Sequence, residues 1–123
     1  MVSSFQLANH VVGIMIDRDL DDEYLEEIHE IVLAKIEEFG KINIFCEVQK
    51  GKNIPLKCLL EELKFKFDNY QNIGKLAVVS DLAWLRSVMN ISEFILHSEV
   101  HTFDISHRMD AITWVSSNNS EFE

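Results

Sequence analysis

Ile42-Asn43-Ile44-Phe45-Cys46-Glu47-Val48 is the stretch that settles the fold class. It is nearly continuous in apolar residues, with Asn43 and Glu47 as interruptions. A strand with one wet face alternates; a run like this belongs inside a parallel sheet covered on both sides. Its borders are sharp. Gly40 before it supplies a left-handed helix stop, and Gln49–Asn53 after it is a polar loop holding Lys50, Gly51 and Lys52.

Upstream of the strand, the spacing predicts a helix from about Asp22 to Phe39. Its apolar stripe is Leu25, Ile28, Val32, Ile36 and Phe39, three and four apart. Asp21 is suited to the N-cap, with Asp22 and Glu23 on the positive end of the dipole. Leu20 is placed to staple Leu25. Before the helix, Phe5–Ala8 and Val11–Asp17 read as strands around a turn at Asn9-His10, the first an antiparallel edge strand. Gly13 suggests a bulge or a close backbone approach.

Downstream, Pro55 suits a first helical turn. Leu56, Leu59, Leu60, Leu63, Phe67 and Tyr70 then form a stripe at helical spacing. Lys75–Ser80 is a strand, and Ser80 or Asp81 caps a helix with Trp84, Leu85, Val88 and Met89. Val100–Phe103 is the last strand. Ser106 caps a final helix that buries Met109, Ala111 or Ile112, and Trp114-Val115. The expected fold is α/β: an open mixed sheet of four to five strands with about four helices, in the order β-β-α-β-α-β-α-β-α. Residues 1–115 form a single domain, and the polar residues 116–123 form a frayed tail.

Composition narrows the partners. The 123 residues carry 21 acids against 11 bases, a net charge of −10. Nucleic acid and anionic membrane surfaces are poor partners for such a chain. No stretch has the length of a membrane span, and Met1–Gln6 lacks the basic start and apolar run of a signal peptide. Cys46 and Cys58 are the only cysteines and form no CxxC motif. A reduced, cytoplasmic setting is expected.

A resemblance rests on three pieces of sequence. They are Lys75-Leu76-Ala77-Val78-Val79-Ser80-Asp81 with Trp84 following, Phe103-Asp104 with Ala111 and Trp114, and Gly40-Lys41-Ile42. Together with the element order they resemble the STAS fold of anti-sigma-factor antagonists and sulfate-transporter tails. More closely, the chain resembles the SpoIIAA-like family of small bacterial proteins, over nearly its whole length. The resemblance implies a non-enzymatic regulatory binding module. It also implies a kinship with Sec14/CRAL-TRIO-type lipid-carrying domains, hence a small apolar ligand as the alternative. Antagonists of this fold carry a phosphorylatable serine or threonine at the start of the second helix. This chain has Gly51-Lys52-Asn53-Ile54-Pro55 there, and no serine or threonine from Gly40 through Lys75. A phosphorylation switch at that place is not expected.

The candidate ligand or partner residues are Lys50, Lys52, Asn53, Asp81, Trp84, Tyr70 and Met89. Lys50, Lys52 and Asn53 occupy the loop after the central strand, where open sheets bind ligands at helix N-termini. The bland reading is a solvated loop. Asp81 and Trp84 sit at the next strand end, with cap and core roles as the bland reading and a pocket wall as the functional one. Phe65, Phe67, Tyr70, Trp84, Leu85 and Met89 would wall an apolar ligand. His97, His101 and His107 straddle a helix-to-strand change and do not converge, so no metal or cofactor is expected. His29 lies among acids and reads as exposed. Asp17, Asp19 and Asp21 alternate, but the twelfth position is Ile28, so this is no EF-hand loop.

Cys46 reads as inert core and Cys58 as exposed on its helix; no base accompanies either, and no catalytic residues are assigned. Eight acids fall between Asp17 and Glu30, and six of the eleven bases between Lys41 and Lys66. That split is either a solvated face or a docking surface. A protein partner is the leading expectation, with a homodimer through the edge strand as a further one.

Overall fold

The structure is a computed structural model that describes residues 3–8, 10–52, 54–55, 57–58, 61, 64–65, 68–69, 71–87 and 99–117. Five strands form one sheet: β1 (Ser3–Ala8), β2 (Val11–Ile16), β3 (Ile42–Val48), β4 (Ile73–Val79) and β5 (Val100–Phe103). Their spatial order repeats their order in sequence. β1 is antiparallel to β2 at one edge, and β2 through β5 are parallel. Helix α1 (Asp22–Phe39) joins β2 to β3. Residues 57–58, 61, 64–65 and 68 are helical between β3 and β4, as are 83–87 between β4 and β5. A 3₁₀ turn, Ile105–His107, leads into helix α2 (Arg108–Ser116).

The topology decides which face is crowded. A parallel sheet whose strands advance in one direction, joined by right-handed crossovers, places every crossover helix on the same face. That face holds the larger core. Val12, Ile14, Ile16, Ile44, Leu76 and Val78 from the strands pack with Leu25, Ile28 and Val32 of α1, and with Ile54, Cys58 and Leu85. Among the described residues, the opposite face receives α2 and the 3₁₀ turn before it; Ala111 and Val115 pack on Val11, Phe45, Ala77 and Val79, with Ile105 against them. One helix is about 10 Å wide, whereas five strands span about twice that. Part of this second sheet face is therefore left beside α2.

Local chemistry explains the borders. The Asp21 carboxylate accepts a hydrogen bond from the Tyr24 N–H at 2.8 Å. Gly40 adopts φ 83° and donates its N–H to Ile36, closing α1 where the stripe ends. The stripe is buried at Leu25, Ile28 and Val32, while Ile36 and Phe39 pack against it from the margin. Tyr24, outside the expected stripe, is fully buried; its hydroxyl donates to the Met15 carbonyl at 3.1 Å. Gly13 lies in register between Phe5 and Phe45, and the irregularity of the β1–β2 ladder falls between Gln6 and Ala8.

Four expectations are corrected. Trp84 is not core: it is 39% exposed, and Leu85 beside it takes the buried position. Met109 is 68% exposed, because α2 turns Ala111 and Val115 inward. Cys58 is buried against α1, its Sγ 3.9 Å from an Asp22 carboxylate oxygen. His29 is half-buried and stacks on Phe65 at 3.9 Å between ring centroids. An apolar ring was available across the helix pair, and stacking removes both from water. The tail region begins with order: Ser116 ends α2, and the Ser117 hydroxyl donates to the Trp114 carbonyl at 2.8 Å.

Candidate functional site

Among the described residues, the polar side chains buried in the strands, Asn43, Glu47 and Lys75, sit under α2 and hold it at both ends. At its N-terminal end, Arg108 Nε and Nη2 donate to the two Glu47 carboxylate oxygens at 2.6 and 2.5 Å. The Glu47 side chain is 4% exposed and that of Arg108 48%. At the other end, buried Asn43 donates to the Val115 carbonyl at 2.9 Å and accepts from the Lys75 N–H at 2.8 Å. The Lys75 ammonium donates to the Trp114 carbonyl at 2.9 Å and to the Ser117 hydroxyl, 5.1 Å from the Trp114 ring. An anion at the helix start and a cation at its end both follow the helix dipole.

Beside the first clamp lies a groove of about 550 Å³, lined by Met15, Phe45, Glu47, Gln49, Lys50, Ile105, Arg108 and Ile112. It occupies the uncovered margin of the second face, at the carboxyl ends of β2 and β3. Its floor is apolar: Phe45 is buried, and Met15, Ile105 and Ile112 are half-exposed. Its rim is cationic, with Lys50 and Arg108. Lys50 is exposed and has no ion-pair partner among the described residues. Gly51, at φ 86°, turns the chain just after it, and the Gln49 N–H donates to the Ile16 carbonyl at 2.9 Å. Those two constraints set Lys50 at the strand end.

The second concavity is the core between α1 and the sheet. It holds a cavity of about 50 Å³ among Ile14, Leu25, Ile28, Cys46, Val78 and Leu85, with other apolar neighbours.

Of the residues expected from sequence, Lys50 lines the groove and Lys52 is half-buried beside it, its N–H donating to the Gln49 carbonyl. Asp81 is exposed, and the capping hydroxyl is that of Ser80, which accepts from the Leu82 N–H at 3.0 Å. Trp84 lines neither concavity. Asn53, Tyr70 and Met89 lie outside the described residues. Among the expected apolar walls, Leu85 lines the small cavity and Phe65 packs on the core; Phe67 lies outside the described residues. Sequence reasoning missed Glu47 and Arg108. A lone acid inside an apolar strand was the available signal, since a buried carboxylate requires a cation. Among the described residues, no group of three or more His, Cys, Asp or Glu could hold a metal ion.

A model of the SpoIIAA-like family matches residues 11–116. No curated protein sequence matches the chain. Among solved structures it is similar to an uncharacterised DUF3478-family protein with a SpoIIAA-like fold from Shewanella loihica PV-4. The TM-score is 0.67 at 11% identity, covering 94% of this chain and 92% of that one. It is also similar to the anti-sigma factor antagonist SpoIIAA in its unphosphorylated form, with TM-score 0.57, 12% identity, and 92% and 98% coverage. The Bacillus cell fate determinant SpoIIAA in the phosphorylated form gives TM-score 0.58 at 13% identity, with 91% and 99% coverage. Identities this low carry the fold alone.

Proposed function

The chain belongs to the SpoIIAA-like family, and from that premise we propose that it is a non-enzymatic regulatory module that docks a protein partner. The observation that carries this reading is the groove at the carboxyl ends of β2 and β3. It joins a half-exposed apolar floor to a cationic rim on a chain of net charge −10. Met109, on α2 between the groove residues Ile105 and Ile112 in sequence, adds a further exposed apolar side chain. Apolar surface bordered by charge is the anatomy of a docking site. The related SpoIIAA structures exist in phosphorylated and unphosphorylated forms. The loop Gly51-Lys52-Asn53-Ile54-Pro55 has no hydroxyl to modify, so regulation of this chain runs through binding rather than phosphorylation there.

Photo-crosslinking tests the reading. A benzophenone side chain is placed at Met109 or Gln49, and at Glu37 on α1 as the control face. Discrete adducts from the first two positions, absent from the third and reduced by K50E, are the expected result. Equal adducts from both faces refute the site.

A small apolar ligand is the second reading, favoured by the apolar cavity under α1. That cavity, about 50 Å³, is well below the ~300 Å³ at which ligand sites begin. Native mass spectrometry of freshly purified protein decides it: co-purified extra mass supports a carrier. A homodimer through β1 is the remaining partner proposal, and sedimentation showing a monomer at high concentration refutes it.

A further inference from the structure

We infer that the groove beside α2 binds a small carboxylate with an apolar body. The argument begins at Arg108. Glu47 takes the Nε and Nη2 edge of its guanidinium. A planar guanidinium held along one edge presents the other edge in a fixed direction. That edge, Nη1 and the second Nη2 proton, has no partner among the described residues, and the side chain is half-exposed in the groove wall. An incoming carboxylate meets a bidentate donor that is already positioned, so little side-chain freedom is lost on binding.

Lys50 lines the same groove and supplies the second cation. Glu47 contributes −1, and Arg108 and Lys50 contribute +1 each, leaving +1 at the site. One negative charge balances it; a phosphate dianion overshoots it beside a buried carboxylate. The start of α2 adds its positive dipole end. Met15, Phe45, Ile105 and Ile112 line the rest of the groove, with Gln49 beside them, so most of the ligand's body meets apolar side chains. The volume, about 550 Å³, falls within the ~300–1,000 Å³ of small-molecule sites. Such a ligand competes with a partner segment for one floor, which makes it a regulator of docking.

The test is a titration of the full nitrogen-labelled chain with octanoate, octylamine and acetate, followed by amide chemical shifts. Octanoate shifts Gln49, Lys50, Ile105 and Ile112 saturably. Octylamine does not, and acetate, which lacks the body, binds at least about tenfold more weakly. K50E lowers octanoate affinity by about tenfold without moving Tm. R108K, which keeps the charge and loses the free edge, lowers it as well. Absence of saturation, equal response to octylamine, an unaffected K50E, or shifts centred on Leu25, Ile28 and Val78 each overturn the inference. Crosslinking from Met109 is measured without octanoate, so the ligand and the protein partner fail separately.

Discussion

Glu47 on β3 and Arg108 at the start of α2, 61 residues apart, share two charge-assisted hydrogen bonds, yet only the carboxylate is buried. Removing either partner is therefore not equivalent. R108A strands a buried carboxylate and costs about 3 kcal/mol, the lower end of the range for a broken buried pair because Arg108 is half-exposed. E47A leaves a guanidinium that water can reach and costs less. The double variant is more stable than the sum of the singles predicts, as urea denaturation of all four proteins will measure.

Gly74 is tied to the other clamp. A Cβ at that position would lie 2.6 Å from the Asn43 side-chain oxygen, which already accepts from the Lys75 N–H. G74A therefore pushes out a hydrogen-bonded atom rather than a free rotamer. We expect a loss of about 1–3 kcal/mol. In an N43A background the same change is nearly silent, and thermal melts of the cycle reveal the difference.

Asp104 contributes to the acid limb of stability. Side-chain and backbone hydrogen bonds from Ser106 hold its carboxyl below the usual carboxylate range. The unfolded group titrates near ~3.9. A depressed folded value means the contribution is complete above that pH and is lost as pH falls through the lower folded value. S106A removes the hydroxyl donor, so its Tm falls less steeply than the wild type's between about pH 5 and about pH 2.

Cys58 resists alkylation. Burial, then the nearby Asp22 carboxylate, pushes its thiol up, so less thiolate is present at neutral pH. Iodoacetamide modifies Cys46, which is half-buried, before Cys58. Complete labelling of Cys58 requires urea. Because burial is the larger cause, D22N leaves it slow; rapid labelling of Cys58 in the folded protein refutes this account.

Helix α1 was legible to the residue, from Asp22 to Phe39, because a cap, a stripe and a glycine stop agreed. β3 and β5 were equally legible. Tyr24 was not: it lies beside the stripe, and its burial depends on a carbonyl acceptor at Met15 that only the tertiary fold supplies. Trp84 and Leu85 show the same limit. Both are apolar neighbours on one short helix, and the choice of which turns inward belongs to the sheet beneath. The position of Lys50 at the end of a parallel strand was legible, and there it lines the groove. Its groove mates Ile105, Arg108 and Ile112 were not, since they come from the far end of the chain.

Periodicity, caps and turns are local, so the sequence alone determined the strands, helix α1, their order and the mixed sheet they form. Facing is not local. Consecutive right-handed crossovers crowd one side of the sheet and, among the described residues, leave α2 and the 3₁₀ turn before it on the other. That imbalance, decided only in three dimensions, buries Glu47 under Arg108 and opens the groove beside them.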